Sequence, residues 1–136
     1  MIWNREIECM PREKMRVLQG EKLKRIVAHA YNNSLFYKRK FDECGIRPED
    51  INSIEDIVKL PFTVKHDLRD NYPFGMMAVP MSDIIRIHAS SGTTGKPIVV
   101  GYTEKDLENW SEAVARCLTS FGLGQSDLIQ IAYGYG

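Results

Sequence analysis

The sequence predicts an α/β chain whose first part is helical and whose later part begins a parallel sheet. Three observations predict it. Residues 1–80 read as small helices around an aromatic-rich core. Two β-branched runs, residues 84–88 and 98–102, flank a cluster of Gly, Ser and Thr, which reads as strand, loop, strand. A long amphipathic pattern then runs from Thr103 to about Phe121 and leads to a further β-rich run at 127–133. Strand–helix–strand order suggests a crossover feeding a parallel sheet. The division falls near residue 80: a helical subdomain over 1–80, and over 81–136 the start of an α/β unit. A sheet begun this late has too few strands to close its own core, since about three with cover are needed. The chain therefore reads as a piece of a longer protein.

In order, residues 1–11 look irregular, with Trp3, Ile7 and Met10 placed to pin the arm to a neighbouring surface. Pro11-Arg12-Glu13 starts a helix. Met15, Leu18, Leu23, Ile26, Val27 and Ala30 keep near-helical spacing to about Asn32, and Gly20 is expected to break it. Its charged face reads as solvated surface. His29 lacks a spaced metal partner and reads as a surface or capping histidine. Ser34 caps a second helix to about Glu43, which Gly45 ends. Ser53 with Asp56 marks a short helix, and Thr63 caps another to about Asp70. Thr103 and Asp106 make a capping box for the last helix. Its stripe of Leu107, Trp110, Val114, Cys117, Leu118 and Phe121 predicts a buried Trp110 and a buried Cys117.

Composition narrows the class. The 136 residues carry 18 Lys+Arg and 18 Asp+Glu, so the formal charge is zero, which argues against a nucleic-acid binder driven by bulk charge. Cys9, Cys44 and Cys117 are odd in number and far apart, fitting neither a disulfide framework nor a zinc spacing. A reducing compartment, the cytoplasm, is the economical inference. No apolar run reaches membrane-spanning length.

The chemistry sits between the two β-rich runs, in Ser90-Ser91-Gly92-Thr93-Thr94-Gly95-Lys96-Pro97. Glycine permits backbone angles that turn successive N–H groups to one side, making an anion-binding concavity. Ser90, Ser91, Thr93 and Thr94 add hydroxyl donors, and Lys96 adds a point charge suited to phosphate. The common nucleotide loop needs four residues between its glycines and then opens a helix. Here two residues separate Gly92 from Gly95, and Pro97 disfavours a helix at Lys96. The loop returns into a strand, with no helix dipole to help.

This string resembles the phosphate loop of the adenylate-forming acyl-CoA ligases. Arg86-Ile87-His88-Ala89 before it and Val99-Val100-Gly101-Tyr102-Thr103 after it resemble the phenylacetate–CoA ligase branch. Phe36-Tyr37-Lys38, Leu60-Pro61-Phe62-Thr63, Asp67-Leu68-Arg69 and Tyr72-Pro73-Phe74-Gly75 also look like signatures of that branch. The resemblance implies the start of that family's large domain, and ligation of phenylacetate to coenzyme A with ATP and Mg²⁺, through an acyl adenylate. It implies that Ser90 to Lys96 hold the nucleotide phosphates. It also implies that Tyr133, Gly134, Tyr135 and Gly136 begin the aryl-acid pocket, although Tyr with Gly is common at strand ends. The family's adenine-binding motif, ribose-binding aspartate, hinge and catalytic lysine are not found here, so no catalytic residue is expected in this stretch and no turnover from it alone. The alternative is a helical interaction or dimerisation module with a remnant phosphate loop. The sequence leaves open whether the helical arm pairs two copies.

Overall fold

A computed structural model describes residues 1–92 and 96–132. Its helices are α1 (Arg5–Glu8), α2 (Arg12–Asn33), α3 (Leu35–Glu43), α4 (Lys65–Asp70) and α5 (Glu104–Ser120), joined in part by 3₁₀ turns. Its strands, β1 (Arg86–Ala89) and β2 (Val99–Tyr102), form one antiparallel pair. The α/β class expected from sequence holds.

The core lies between α2, α3 and the turns after them. Leu23, Val27, Phe41, Ile46 and Ile51 are buried together, with Tyr31, Tyr37 and Leu60 packed around them. Gly45 ends α3 as expected. At φ +67° it donates its N–H to the Asp42 carbonyl (3.0 Å), and Ile46 donates to the Phe41 carbonyl (2.9 Å). This pair of bonds lets the chain reverse while Ile46 drops back onto Phe41 in the core.

Three local expectations change. Gly20 does not break α2, which runs unbroken for 22 residues. A Cβ there would lie 3.2 Å from the Ile54 nitrogen and 3.4 Å from the Ser53 Cα. The glycine is needed for a close backbone approach, and tertiary packing overrides its poor helix propensity. Ser34 stands before α3, but its side chain does not cap it. It is buried and donates instead to the Met76 carbonyl at 3.3 Å, tying the α2–α3 corner to a segment 42 residues away. At α4 the cap position belongs to Val64, not Thr63. The Asp67 carboxylate accepts the Val64 N–H (2.8 Å) and also pairs with Lys40 of α3. The Lys40 ammonium, followed by that backbone bond, holds the Asp67 carboxyl below its usual range.

Each face of the β1–β2 hairpin makes packing contacts, although all four β1 residues are exposed. Arg86 pairs with Tyr102, Ile87 with Gly101, His88 with Val100 and Ala89 with Val99. Alternation puts His88 and Tyr102 on one face and Gly101 on the other. On the first face Trp110 of α5 stacks on Tyr102 (ring centroids 5.5 Å apart) and meets His88 edge-on (5.6 Å). On the second, Gly101 lets Met77 and Ile84 approach: a Cβ would lie 2.6 Å from Met77 Cε and 3.0 Å from Ile84 Cδ1.

The expected capping box starts α5: Thr103 Oγ1 accepts the Asp106 N–H (3.2 Å) and Asp106 accepts the Thr103 N–H (2.9 Å). The apolar stripe of α5 is regular but not buried. Trp110 is 43% exposed, Val114 43% and Phe121 80%, and Cys117 is exposed. Residues 127–132 are not a strand, and Leu128 and Ile131 point to solvent. A strand exists only through the bonds of a neighbour, and among the described residues no strand pairs with this run. The expected crossover into a parallel sheet is therefore replaced by the antiparallel hairpin alone.

The N-terminal arm reaches α5. It is not wholly irregular, since α1 forms within it, capped by Asn4. Trp3 Nε1 (2.7 Å) and Asn4 Nδ2 (2.9 Å) both donate to the Glu112 carboxylate, which also accepts from Arg116. Arg116 first, then Asn4 and Trp3, hold the Glu112 carboxyl down at about 2, against an ordinary 4.5.

Two outcomes are expected. Gly101→Val forces a branched side chain against Ile84 and lowers stability by about 1–3 kcal/mol, read as a lower urea midpoint at unchanged slope. Because folding depresses the Glu112 pKa, its contribution is complete above about pH 4.5 and is lost as pH falls through about 2. The indole N–H resonance of Trp3 should therefore titrate with a midpoint near pH 2, and Glu112→Gln should abolish that step. A midpoint near 4.5 would contradict the clasp.

Candidate phosphate-binding loop

The hairpin exists because two β-branched stretches flank residues with little strand preference. Ile87, Ile98, Val99 and Val100 favour the pleated ladder. Ser, Gly and Thr between them favour turns. Pro97 follows Lys96 and leads into β2, so the chain re-enters a strand as expected.

Of the seven residues expected to hold phosphate, Ser90, Ser91, Gly92 and Lys96 are described, and Thr93, Thr94 and Gly95 lie outside the described residues. Tyr133, Gly134, Tyr135 and Gly136 also lie outside them.

Ser90 closes the ladder. Its N–H donates to the Ile98 carbonyl at 2.9 Å, and its Oγ accepts the Ile98 N–H at 2.9 Å. Ser91 is exposed at the loop's first free position. Gly92 has φ +66°, in the left-handed region that a Cβ disfavours, so here glycine is required by conformation. Lys96 is exposed on the opposite limb, and among the described residues no carboxylate pairs with it. An unpaired ammonium and hydroxyls at the mouth of a glycine-bearing turn can accept an anion without first breaking an ion pair.

Sequence reasoning missed the ring cluster beneath this loop. His88 lies 5.0 Å from the Tyr102 ring, and both meet Trp110. The signal was present: His88 and Tyr102 lie on the same strand face once the register is set, and Trp110 sits two turns into α5. These rings join α5 to the hairpin. His29 is exposed, and among the described residues only Asn33 is within hydrogen-bonding reach of its ring (3.3 Å). Among the described residues no group of three His, Cys, Asp or Glu side chains is placed to hold a metal ion. No helix of the described residues is long and apolar enough to cross a membrane.

No protein-family model matches the chain. Individual proteins match it closely. It is 52% identical over 136 residues to the phenylacetate-coenzyme A ligase of Thermus thermophilus, covering all of this chain and 31% of that one. It is 53% identical over 130 residues to the phenylacetate-coenzyme A ligase of Aromatoleum evansii, and 52% over 130 residues to that of Escherichia coli K12. Each alignment covers 96% of this chain and 30% of the relative. In fold it matches the crystal structure of a 2-hydroxyisobutyryl-CoA ligase in complex with 2-HIB-AMP and CoA. The TM-score is 0.82 at 32% identity, over 90% of this chain and 27% of that one. An open conformation of that ligase matches with a TM-score of 0.80. The chain spans about 30% of the length of the curated relatives it matches. By sequence along its whole length the chain is similar to part of the phenylacetate-coenzyme A ligases, and by fold along nine tenths of it to part of a 2-hydroxyisobutyryl-CoA ligase.

Proposed function

We propose that this chain is the part of an ATP-dependent acid–thiol ligase that grips the nucleotide's phosphates. The reaction is the one its relatives are named for: phenylacetate, ATP and CoA give phenylacetyl-CoA, AMP and pyrophosphate. The observation that carries the reading is the hairpin loop itself, with Gly92 at φ +66° and Lys96 exposed and, among the described residues, in no ion pair. The relatedness to phenylacetate-coenzyme A ligases supports the substrate class.

The chemistry explains why such a loop is needed. A carboxylate oxygen attacks the α-phosphorus of ATP, the bond to the β-phosphate oxygen breaks, and pyrophosphate leaves with the electron pair. Charge grows on that leaving group, and preorganised donors must stabilise and orient it. Residues 90–96 wrap the β- and γ-phosphates with amides and hydroxyls, and Lys96 neutralises part of their charge. In the second step the CoA thiol attacks the acyl carbon and AMP leaves. The amides and the ammonium of this loop suit phosphate oxygens, its hydroxyls can serve a phosphate oxygen or a cation, and it carries no carboxylate. Mg²⁺ therefore belongs to this reading as the companion of the nucleotide's own phosphates, where it carries part of the charge. Tyr133, Gly134, Tyr135 and Gly136 are proposed to begin the aryl-acid pocket. Homodimerisation and a cytoplasmic location remain part of the proposal, supported by the dispersed cysteines in the second case.

Titration of the 136-residue chain with ATP·Mg²⁺ tests the loop. Saturable amide NMR shifts confined to residues 90–96 are expected, with affinity about tenfold weaker in Lys96→Ala, the loss of one charge-assisted hydrogen bond. No shift at millimolar ATP would remove the loop as a phosphate site in its own right. The same sample is expected to form no phenylacetyl-CoA, since it spans about 30% of its relatives.

A further inference from the structure

The Ser90–Ile98 pair closes the ladder in an unusual way. The register of β1 and β2, carried one step past Ala89↔Val99, sets Ser90 opposite Ile98. Two backbone bonds would normally join such a hydrogen-bonded pair. Only one is backbone to backbone, from Ser90 N–H to the Ile98 carbonyl (2.9 Å). The return bond, from Ile98 N–H, goes to Ser90 Oγ at 2.9 Å and not to the Ser90 carbonyl. The side chain has replaced its own main chain as the acceptor.

We propose that Ser90 is a positioning residue that sets the mouth of the loop, in addition to any hydrogen bond its proton donates to phosphate. Substituting Oγ for the carbonyl satisfies the last strand N–H while releasing the Ser90–Ser91 peptide from the ladder. The chain leaves the strand at that peptide and reaches the left-handed turn at Gly92 two residues later. A serine hydroxyl has one proton and two acceptor sites. The contact with Ile98 uses an acceptor site, whereas a phosphate oxygen can use only the proton. One hydroxyl can serve both roles at once, so what separates them is the Ile98 amide, which reads the acceptor role alone. Threonine keeps the acceptor in the same place and alanine removes it. Without it the Ile98 N–H must bond to the carbonyl, pulling the Ser90–Ser91 peptide back into the ladder, or must be left to solvent. In either case the mouth between Ser91 and Lys96 changes. The consequence for nucleotide binding rests on the phosphate-loop reading; the pin itself does not.

Amide hydrogen exchange on the 136-residue chain separates the two. Ser90→Ala is expected to speed exchange at the Ile98 amide roughly fivefold, about the loss of one net hydrogen bond. Ser90→Thr is expected to restore it, and core amides such as Ile51 report that the rest of the fold is intact in both. ATP·Mg²⁺ affinity, read from the loop amide shifts, is expected to fall with Ala and recover with Thr. Wild-type exchange at Ile98 in Ser90→Ala would overturn the proposal. So would lost ATP affinity with Ile98 still protected, which would mark a direct ligand. If the unsubstituted chain shows no response to ATP, the phosphate reading fails, and exchange at Ile98 alone decides the pin.

Discussion

The loop hangs from a ladder of four residue pairs in a sheet of two strands. A two-stranded hairpin is marginal in water, because half its backbone groups face solvent and no third strand shares the cost of ordering it. What holds it is packing on its two faces, supplied from different parts of the chain. Trp110, from the helix that follows β2, stacks against Tyr102 and His88. Met77 and Ile84, from the segment that precedes β1, close on Gly101. The absent side chain at Gly101 is therefore as much a part of the site's geometry as any donor in the loop.

The helical block makes that packing possible. Phe41 and Ile46 meet through the reversal at Gly45, and Gly20 admits the turn at Ser53 and Ile54 against α2. From the same block, Ser34 holds the Met76 carbonyl, and Lys40 holds Asp67 at the start of α4. These contacts fix where residues 71–84 run, and hence where Met77 and Ile84 stand. The arm does the equivalent on the other side, through the three side chains that share Glu112 of α5. The chain of cause runs from local caps to packed helices to the seat of the hairpin, and only then to the loop.

Features governed by neighbours in sequence were legible there. The Thr103–Asp106 box and the reversal at Gly45 depend on contacts a few residues apart, and the strands within residues 84–102 pair across a single short loop. Features governed by distant partners were not. Gly20 reads as a helix breaker until the backbone of Ser53 and Ile54 is known to lie against it. Ser34 reads as a cap until Met76 competes for its hydroxyl. The stripe on α5 has the right period for burial, but period specifies a face and not what covers it, so Trp110 and Cys117 were placed too deep. Residues 127–133 have β-rich composition, yet a strand is a relation between two segments, and composition describes only one. In the loop, residue types pointed to phosphate, while the use of Ser90 Oγ by Ile98 depends on the hairpin register, which no single run of residues specifies.

The form of this loop also decides where its charge must come from. A loop that opens a helix aims several free N–H groups at an anion and adds a dipole equivalent to about half a positive charge. Pro97 and the return into β2 remove both. What remains, by residue type, is the loop's amides, its hydroxyls and the Lys96 ammonium. A point charge on a flexible stem can follow a phosphate that moves, which a helix terminus cannot do. In the reaction proposed above, pyrophosphate must be first held and then released. A loop whose charge sits on one mobile side chain, above a ladder closed by a side-chain hydrogen bond, can loosen without unfolding what lies beneath it. The weak form of the hairpin is thus compatible with turnover, provided its two faces stay packed.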